Sequence, residues 1–273
     1  MQPTFMRGRV LSIAGSDSGG GAGIQADIKT VTALGGYAAT AVTAVTVQNT
    51  RGVSGIHAIP AAIITSQISS VLCDIGADAI KTGMLASGDV IAAIVSELER
   101  WPHIPLVVDP VMVAKGGASL LANDAVNSLR ELLLPRATIL TPNLPEAEIL
   151  VDKAITKRSE MLDAARIICG LGARAVLVKG GHLPGGDIYD VYLGPEGTHE
   201  WHSKRIATEH THGTGCTLSA AIATGLAQGM TSIDSITRAR DYVLMAIQTA
   251  PKFGAGHGPL NHAHTIRPFR ENS

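Results

Sequence analysis

The segment Thr211-His-Gly-Thr-Gly-Cys-Thr-Leu-Ser-Ala-Ala-Ile-Ala223 places two glycines, one residue apart, before a run of small and apolar residues that predicts a helix. Gly213 and Gly215 let the backbone turn sharply and expose consecutive N–H groups, and Thr214 adds a hydroxyl. Exposed amides at a helix N-terminus are a ready binding site for an anion, most often a phosphate. A tight loop before a buried helix is an equally ordinary explanation, because glycine-rich turns are common there.

Cys216 lies in the first turn of that predicted helix and favours the anion site over the plain turn. A thiol at a helix N-terminus is expected to have a lowered pKa. Cys216 is therefore a candidate base or nucleophile.

Short apolar runs alternate with segments of helical periodicity along the rest of the chain. We expect strands at 10–14, 37–47, 77–84, 106–109, 137–141 and 175–179, and a polar-faced hairpin at 188–193 and 199–206. We expect helices at 24–34, 60–73, 89–100, 123–134, 159–171, 216–228 and 232–250, and a short one that begins at Pro145. This alternation predicts a mostly parallel sheet covered by helices on both faces.

A second glycine-rich loop, Gly15-Ser-Asp-Ser-Gly-Gly-Gly-Ala-Gly23, follows the first expected strand. Residues 21–26 match the loose dinucleotide fingerprint, which needs an acidic residue about 20 positions further on to bind the ribose. The next acid after Asp27 is Asp74, so the dinucleotide interpretation fails. A Walker loop fails as well, because no Gly-Lys-Ser/Thr follows the glycines.

Polar residues follow most of the expected strands, at the edge where parallel sheets bind ligands. Asp109, Asn143 and Glu146 carry hard oxygen ligands suited to Mg²⁺ held partly through water. Lys179 is a point charge suited to nucleotide phosphates. Each residue also has an ordinary explanation, because Asp109 suits a turn cap, Asn143 and Glu146 suit a helix cap, and Lys179 suits a solvated strand end. Together with the glycine-rich loop they predict phosphoryl transfer.

The histidines point less clearly to chemistry. His210 and His212 flank the 211–217 loop, but two residues of this spacing without a third ligand favour a structural role over a metal site. His257, His262 and His264 lie in a polar C-terminal segment and are expected to be exposed.

Length and composition exclude several classes of protein. The 273 residues, of which 45% are hydrophobic, predict one globular domain spanning 1–273. Twenty-two basic and 23 acidic side chains leave no field to attract nucleic acid or an anionic membrane. Three distant cysteines without a CxxC pair argue against disulfides or a zinc knuckle. With no long apolar stretch, we expect a cytoplasmic protein that binds neither membrane nor nucleic acid.

Seven ordered motifs give the chain a family resemblance. They are Ala14-Gly-Ser-Asp-Ser-Gly-Gly-Gly-Ala-Gly-Ile-Gln-Ala-Asp27, Val45-Thr-Val-Gln-Asn49, Ile80-Lys-Thr-Gly-Met84, Val108-Asp-Pro-Val111, Thr141-Pro-Asn143 with Glu146, Val178-Lys-Gly-Gly-His182 and His212-Gly-Thr-Gly-Cys216. Over about residues 10–250 the chain resembles the hydroxymethylpyrimidine and phosphomethylpyrimidine kinases of thiamine biosynthesis, in the ribokinase-like superfamily.

The resemblance implies a three-layer α/β/α domain, ATP as donor, Mg²⁺ and a homodimer. It also implies phosphorylation of 4-amino-5-hydroxymethyl-2-methylpyrimidine and then of its monophosphate to the diphosphate. Gln48 would recognise the aminopyrimidine, and Gly15, Asp27 and Met84 would line the same pocket.

The resemblance assigns the phosphate and metal roles to five further residues. Lys179 and Thr214 would hold ATP phosphates, and Asp109, Asn143 and Glu146 would organise magnesium.

The catalytic group implied by the resemblance is Cys216 with Gly213 and Gly215. Cys216 stands where most of the superfamily has Asp, in the sequence Gly-Ala-Gly-Asp. This departure is typical of the family and of some pyridoxal kinases, and it leaves the strength of Cys216 as a base open.

Two alternatives remain. A pyridoxal kinase performs the same chemistry on a pyridine with a similar hydroxymethyl group, and one chain can have both activities. A non-catalytic, pyrimidine-binding regulator is the other alternative. The anion loop, Lys179 and Cys216 argue against the regulator, since binding alone does not need them.

Overall fold

A central sheet organises the protein, whose structure, a computed structural model, describes residues 7–112 and 125–267. Within these residues the sheet has nine strands in the order β3-β2-β1-β4-β5-β6-β7-β8-β9. The strands are β1 (Arg9–Asp17), β2 (Tyr37–Asn49), β3 (Gly52–Ala58), β4 (Ala79–Thr82), β5 (Leu106–Val108), β6 (Ile139–Leu140), β7 (Val176–Lys179), β8 (Asp187–Gly194) and β9 (Gly197–Lys204). Every pairing from β2 to β7 is parallel, while β3, β8 and β9 join antiparallel at the two edges.

Helices cover both faces of this sheet and form two hydrophobic cores. They are α1 (Gly23–Ala33), α2 (Ala61–Asp74), α3 (Gly88–Leu98), α4 (Ala125–Ser128), α5 (Leu144–Val151), α6 (Arg158–Gly170), α7 (Thr214–Ala227) and α8 (Ser232–Gln248). Helices α2, α3, α5 and α6 pack on one face, and α1, α7 and α8 on the other. Side chains alternate between the two cores along a strand, as Leu106 and Val108 face one core and Val107 the other. The predicted three-layer α/β/α arrangement around a mostly parallel sheet is confirmed.

Two elements differ from the sequence-based expectation. The segment expected as one helix over 123–134 is a short α-helix, a π-helical turn (Leu129–Leu133) and a 3₁₀ turn (Leu134–Arg136), and residues 123 and 124 lie outside the described part. Pro135 has no N–H to continue an α-helix. Strand β3 was not expected, because its mostly exposed sequence Gly-Val-Ser-Gly-Ile-His-Ala has no apolar run.

The carboxyl ends of the parallel strands all meet at one edge of the sheet. The loops after β1, β4, β5, β6 and β7 therefore lie beside the N-terminus of α7. In the described part of the chain, no helix is long and apolar enough to cross a membrane.

Candidate active site

A cavity of about 800 Å³ opens at this edge of the sheet. Eleven of the twelve residues singled out in the sequence line it: Gly15, Gln48, Met84, Asp109, Asn143, Glu146, Lys179, Gly213, Thr214, Gly215 and Cys216. The structure thus brings residues from six separate strand ends and from the start of α7 into one space.

Asp27 does not line the cavity, and this corrects its expected place in the substrate pocket. Its side chain is 1% exposed and lies on the inner side of α1. Both carboxylate oxygens accept hydrogen bonds from Lys81 Nζ, at 3.0 and 2.9 Å, and Ser12 Oγ donates to Oδ2 at 2.5 Å. Asp27 is therefore committed to a buried ion pair.

The two glycine-rich loops lie directly against each other. Gly213 has φ +84°, and a Cβ there would lie 1.8 Å from the carbonyl oxygen of Gly21. Only glycine combines this left-handed conformation with such a close backbone approach. Helix α7 begins immediately after this contact. The first N–H groups of a helix have no intrahelical partners, so the start of α7 can bind an anion in the cavity.

An ion pair between Lys179 and Asp109 faces the start of α7. Lys179 Nζ lies 3.2 Å from Asp109 Oδ1, and the two side chains are 14% and 3% exposed. Burial alone would lower the pKa of Lys179, but Asp109 and Glu146 outweigh it and hold the pKa above its ordinary value. A Cβ on Gly215 would lie 3.4 Å from Lys179 Nζ. The missing side chain of Gly215 keeps the space beside the charged ammonium open.

Asn143 and Glu146 form a capping box at the N-terminus of α5, which supports the ordinary explanation that the sequence had left open. Asn143 Oδ1 accepts the Glu146 N–H at 2.9 Å, and Glu146 Oε2 accepts the Asn143 N–H at 2.8 Å. Burial, with a contribution from the nearby Asp109 carboxylate, raises the pKa of Glu146 to about 7 despite the opposing effect of Lys179.

The donor set suits one particular mode of magnesium binding. Among residues 7–112 and 125–267, no group of three or more His, Cys, Asp or Glu side chains could hold a metal ion. Mg²⁺, however, is commonly held by one or two carboxylates together with water and substrate phosphates. Asp109 and Glu146 repel each other across the cavity, and a cation would relieve that repulsion. These two carboxylates fit such a site, whereas the amide oxygen of Asn143 is occupied by the helix cap.

The predicted lowering of the Cys216 pKa is wrong. Removal from water and, to a smaller extent, the carboxylates of Asp109 and Asp27 raise the pKa of this thiol to about 11. Lys81 and a hydrogen bond from the Gly23 N–H act in the opposite direction but do not prevail. At neutral pH the cysteine is therefore mainly a thiol.

The C-terminal segment also differs from expectation, because His262 is buried. Its Nε2 lies 2.9 Å from Thr217 Oγ1, one residue after Cys216, and burial lowers its pKa to about 4. The expectation that His262 is exposed is wrong. The neutral ring instead ties the C-terminal segment to the first turns of α7.

Two residues near the site were not assigned from sequence. Lys81 is fully buried beneath Cys216 and the cavity floor. Its position inside an apolar strand was a usable signal, since a buried lysine requires a buried partner. His212 lies between Asp17 and Gln48, at 2.9 and 3.2 Å from their side chains. Its sequence neighbours give no sign of these partners, which are 195 and 164 residues away.

Comparisons with known proteins agree on one family. The family model described as phosphomethylpyrimidine kinase matches residues 17–261. The chain is 53% identical over 267 residues to the thiamine biosynthesis bifunctional protein ThiED of Geobacter sulfurreducens, covering 98% of this chain but only 54% of that protein. It is 48% identical over 257 residues to the hydroxymethylpyrimidine/phosphomethylpyrimidine kinase of Rhizobium meliloti, covering 93% of this chain and 96% of that one. Among solved structures, the ADP complex of Bacillus subtilis pyridoxal kinase superposes with a TM-score of 0.87 at 36% identity, covering 94% and 98% of the two chains.

Proposed function

The chain belongs to the phosphomethylpyrimidine kinase family, and we propose that its cavity performs two successive phosphoryl transfers from ATP. The first acceptor is the hydroxymethyl oxygen of 4-amino-5-hydroxymethyl-2-methylpyrimidine, and the second is the resulting monophosphate. One observation carries this proposal. The charged ammonium of Lys179 lies beside Gly215 in the first turn of α7, and both residues line the cavity.

The phosphate end of the site stabilises negative charge with fixed groups. We propose that Lys179 and the loop around Thr214 contact the phosphates of ATP, and that Asp109, which pairs with Lys179, supports its charge until the nucleotide binds. Mg²⁺, held by Asp109 and Glu146, would neutralise phosphate charge. Phosphoryl transfer depends mainly on such positioning and electrostatic stabilisation, because its transition state is loose.

The transfer step itself forms one bond and breaks one. The substrate hydroxyl oxygen attacks the terminal phosphorus of ATP, the bond to the bridging oxygen breaks, and ADP leaves. The hydroxyl proton departs late in a loose transition state. We assign its acceptance to the thiolate form of Cys216, which is scarce at neutral pH because the pKa is about 11.

The substrate end of the cavity lies between the loop after β1 and the ends of β2 and β4. Gln48 carries one amide that both donates and accepts, as an amino group and the adjacent ring nitrogen of a pyrimidine require. Met84 packs close to Gly15, where a Cβ would lie 3.2 Å from the methionine sulfur. We propose that these three residues contact the ring.

Product analysis tests this function. The protein, ATP and Mg²⁺ are incubated with hydroxymethylpyrimidine, with its monophosphate, or with pyridoxal, and the products are identified by mass spectrometry. We expect the pyrimidine monophosphate and then the diphosphate. Phosphorylation of pyridoxal alone would assign the chain to the alternative that its likeness to a pyridoxal kinase favours. Pyrimidine binding without any ATP turnover would instead indicate a regulator.

We also propose that the chain forms a homodimer through the end of the sheet that β2 and β3 form. Val45 and Val47 lie on one face of β2 and are 47% and 63% exposed. Exposed valines on the face of a strand form an apolar patch, and a second copy offers the same pair for a symmetric contact. Val47→Lys should convert a dimer into a monomer in sedimentation experiments, and an unchanged mass would contradict the proposal.

A further inference from the structure

Four side chains bordering the cavity form a hydrogen-bond network that the transfer steps do not use. His212 Nε2 lies 2.9 Å from Asp17 Oδ2 and 3.2 Å from the side-chain nitrogen of Gln48. The Thr46 hydroxyl lies 2.8 Å from the carbonyl oxygen of Ser16 and 3.1 Å from the side-chain oxygen of Gln48. Counting the protons in these contacts determines how the Gln48 amide is oriented.

Asp17 fixes the proton on His212. Its Oδ2 accepts the N–H groups of Gly21 and Ala22 at 3.0 and 2.8 Å. Burial alone would raise the pKa of Asp17, but the bonds from His212 and the backbone outweigh it and hold the pKa below its ordinary value. An ionised carboxylate oxygen only accepts hydrogen bonds. The atom facing it, His212 Nε2, must therefore carry a proton.

That proton decides the orientation of the Gln48 amide. A side-chain NH₂ opposite a protonated Nε2 would place a donor against a donor. Thr46 has one hydroxyl proton, which it donates to Ser16, so an amide oxygen beside it would place an acceptor against an acceptor. Exchanging the amide oxygen and nitrogen makes the Thr46 contact a hydrogen bond from the amide N–H, and it lets the amide oxygen share the Nε2 proton that His212 donates mainly to Asp17. The exchange hardly changes the shape of the group.

The surroundings hold both partners in place. The backbone N–H of Gln48 donates to Ser18 Oγ at 2.8 Å, and Ser18 Oγ donates to the Gln48 carbonyl at 2.7 Å. The His212 ring lies so close to Gly21 that a Cβ there would be 2.5 Å from its Cδ2. The glutamine and the histidine therefore have little freedom to rearrange.

We propose that Asp17, His212 and Thr46 are positioning residues that hold the Gln48 amide oxygen toward His212 and its nitrogen toward Thr46. One lone pair and one N–H of the amide then remain for a ligand. Resting on the proposed function, this orientation places the substrate amino group on the His212 side and its acceptor ring nitrogen on the Thr46 side. A pyrimidin-4-one analogue offers a carbonyl and a ring N–H instead, so its donor and acceptor are interchanged and it is rejected.

The test compares dissociation constants for the 4-amino acceptor and its 4-oxo analogue, measured by calorimetry without ATP. The parent should prefer the amino compound by about tenfold or more, because the analogue leaves buried polar groups unpaired. In His212→Ala the amide is free to turn, so the preference should fall toward one. Thr46→Val removes the other anchor with little change of shape and should act in the same direction. His103→Asn, an exposed histidine before β5, should keep the parental preference.

A loss of affinity by the same factor for both acceptors, with the preference unchanged in His212→Ala and Thr46→Val, would overturn the inference. That result would make the network merely structural. Because binding is measured without turnover, failure of the proposed function can be distinguished from failure of this inference. If the parent prefers the amino compound but forms no phosphorylated product, the kinase assignment is contradicted. The orientation of the amide is then still tested by the binding preferences of the two variants.

Discussion

Two lysine–aspartate pairs lie near the same cavity, and their surroundings give them different roles. The pair of Lys81 and Asp27, here the sealed pair, is 0% and 1% exposed. The pair of Lys179 and Asp109, the open pair, borders the cavity with 14% and 3% exposure. The sealed pair has no route to a ligand, whereas Lys179 can leave Asp109 for a phosphate. The same two residue types thus support the fold in one place and serve the chemistry in the other.

The electrostatics of the sealed pair explain why it cannot change partners. Burial alone would lower the pKa of Lys81, but the Asp27 carboxylate outweighs it and holds the pKa well above its ordinary value. An ammonium that leaves Asp27 would stay charged in the protein interior without its ion-pair partner, which is prohibitively unfavourable. We therefore expect both members of the sealed pair to stay ionised and in contact.

Removing one charge of the sealed pair should have the largest effect. Lys81→Met leaves the Asp27 carboxylate buried without a partner, so the free energy of unfolding should fall by about 3–5 kcal/mol. Denaturant unfolding measures it. The double variant Lys81→Met with Asp27→Leu should recover most of the loss, because apolar residues replace a buried ion pair well. A loss below about 1 kcal/mol in the single variant would show that the pair is not sealed.

The same change in the open pair should affect catalysis instead of stability. Lys179→Met should lower kcat/KM by about 10²-fold or more, since it removes a fixed charge at the transferring phosphoryl group. Asp109 borders the cavity, where water can hydrate it, so the free energy of unfolding should fall by much less than in Lys81→Met. A destabilisation as large as that of Lys81→Met would remove the distinction between the two pairs.

Cys216 lies within the electric field of both pairs, and the pH dependence of kcat reports the resulting pKa of its thiol. A base with a pKa of about 11 is mostly protonated at neutral pH, and its thiolate fraction rises as the pH rises. The kcat of the parent should therefore increase about tenfold per unit between pH 7 and 9. Cys216→Asp should keep measurable activity without that rise.

Removing the Cys216 thiol distinguishes a role as a base from a role in packing. Cys216→Ser and Cys216→Ala should lose about 10²-fold in kcat at pH 8, the scale of general-base removal. Full activity in both variants would mean that Cys216 is only a small residue in a tight turn.

Glu146 beside the open pair should give the smallest effect. Glu146→Gln keeps a residue able to complete the capping box but removes the charge. We expect about a tenfold higher Mg²⁺ requirement and little change in stability, because the second carboxylate at Asp109 remains. Initial rates across a magnesium titration measure this. If Glu146→Gln loses much stability but has the magnesium dependence of the parent, Glu146 serves only as part of the helix cap.

The layered fold followed from the sequence because its signals are local. Apolar runs cut off by proline, as after Asp109, mark strand ends, and the glycines at 213 and 215 mark a loop before a helix. The rule that parallel strands bind ligands at their carboxyl ends then gathers the site residues. By contrast, β3 depends on pairing with β2, and its own residues carry no strand pattern.

The predictions that were wrong at the site concern buried residues and partners that are distant in the sequence. Asp27 and Lys81 are 54 residues apart, and no local pattern joins α1 to β4. The helix N-terminus suggested a low pKa for Cys216, but two buried carboxylates and removal from water prevail there. Such competition depends on distances between segments that only the folded chain defines.

The most direct test of the account follows the two lysine ammonium groups by NMR in protein labelled with ¹⁵N-lysine. A non-hydrolysable ATP analogue with Mg²⁺ is added, and the Lys179 signal is identified by its absence in Lys179→Met. We expect the Lys179 ammonium signal to shift on saturation, while the slowly exchanging Lys81 signal keeps its position. A shift of the Lys81 signal with Lys179 unchanged would contradict the division of labour between the two pairs.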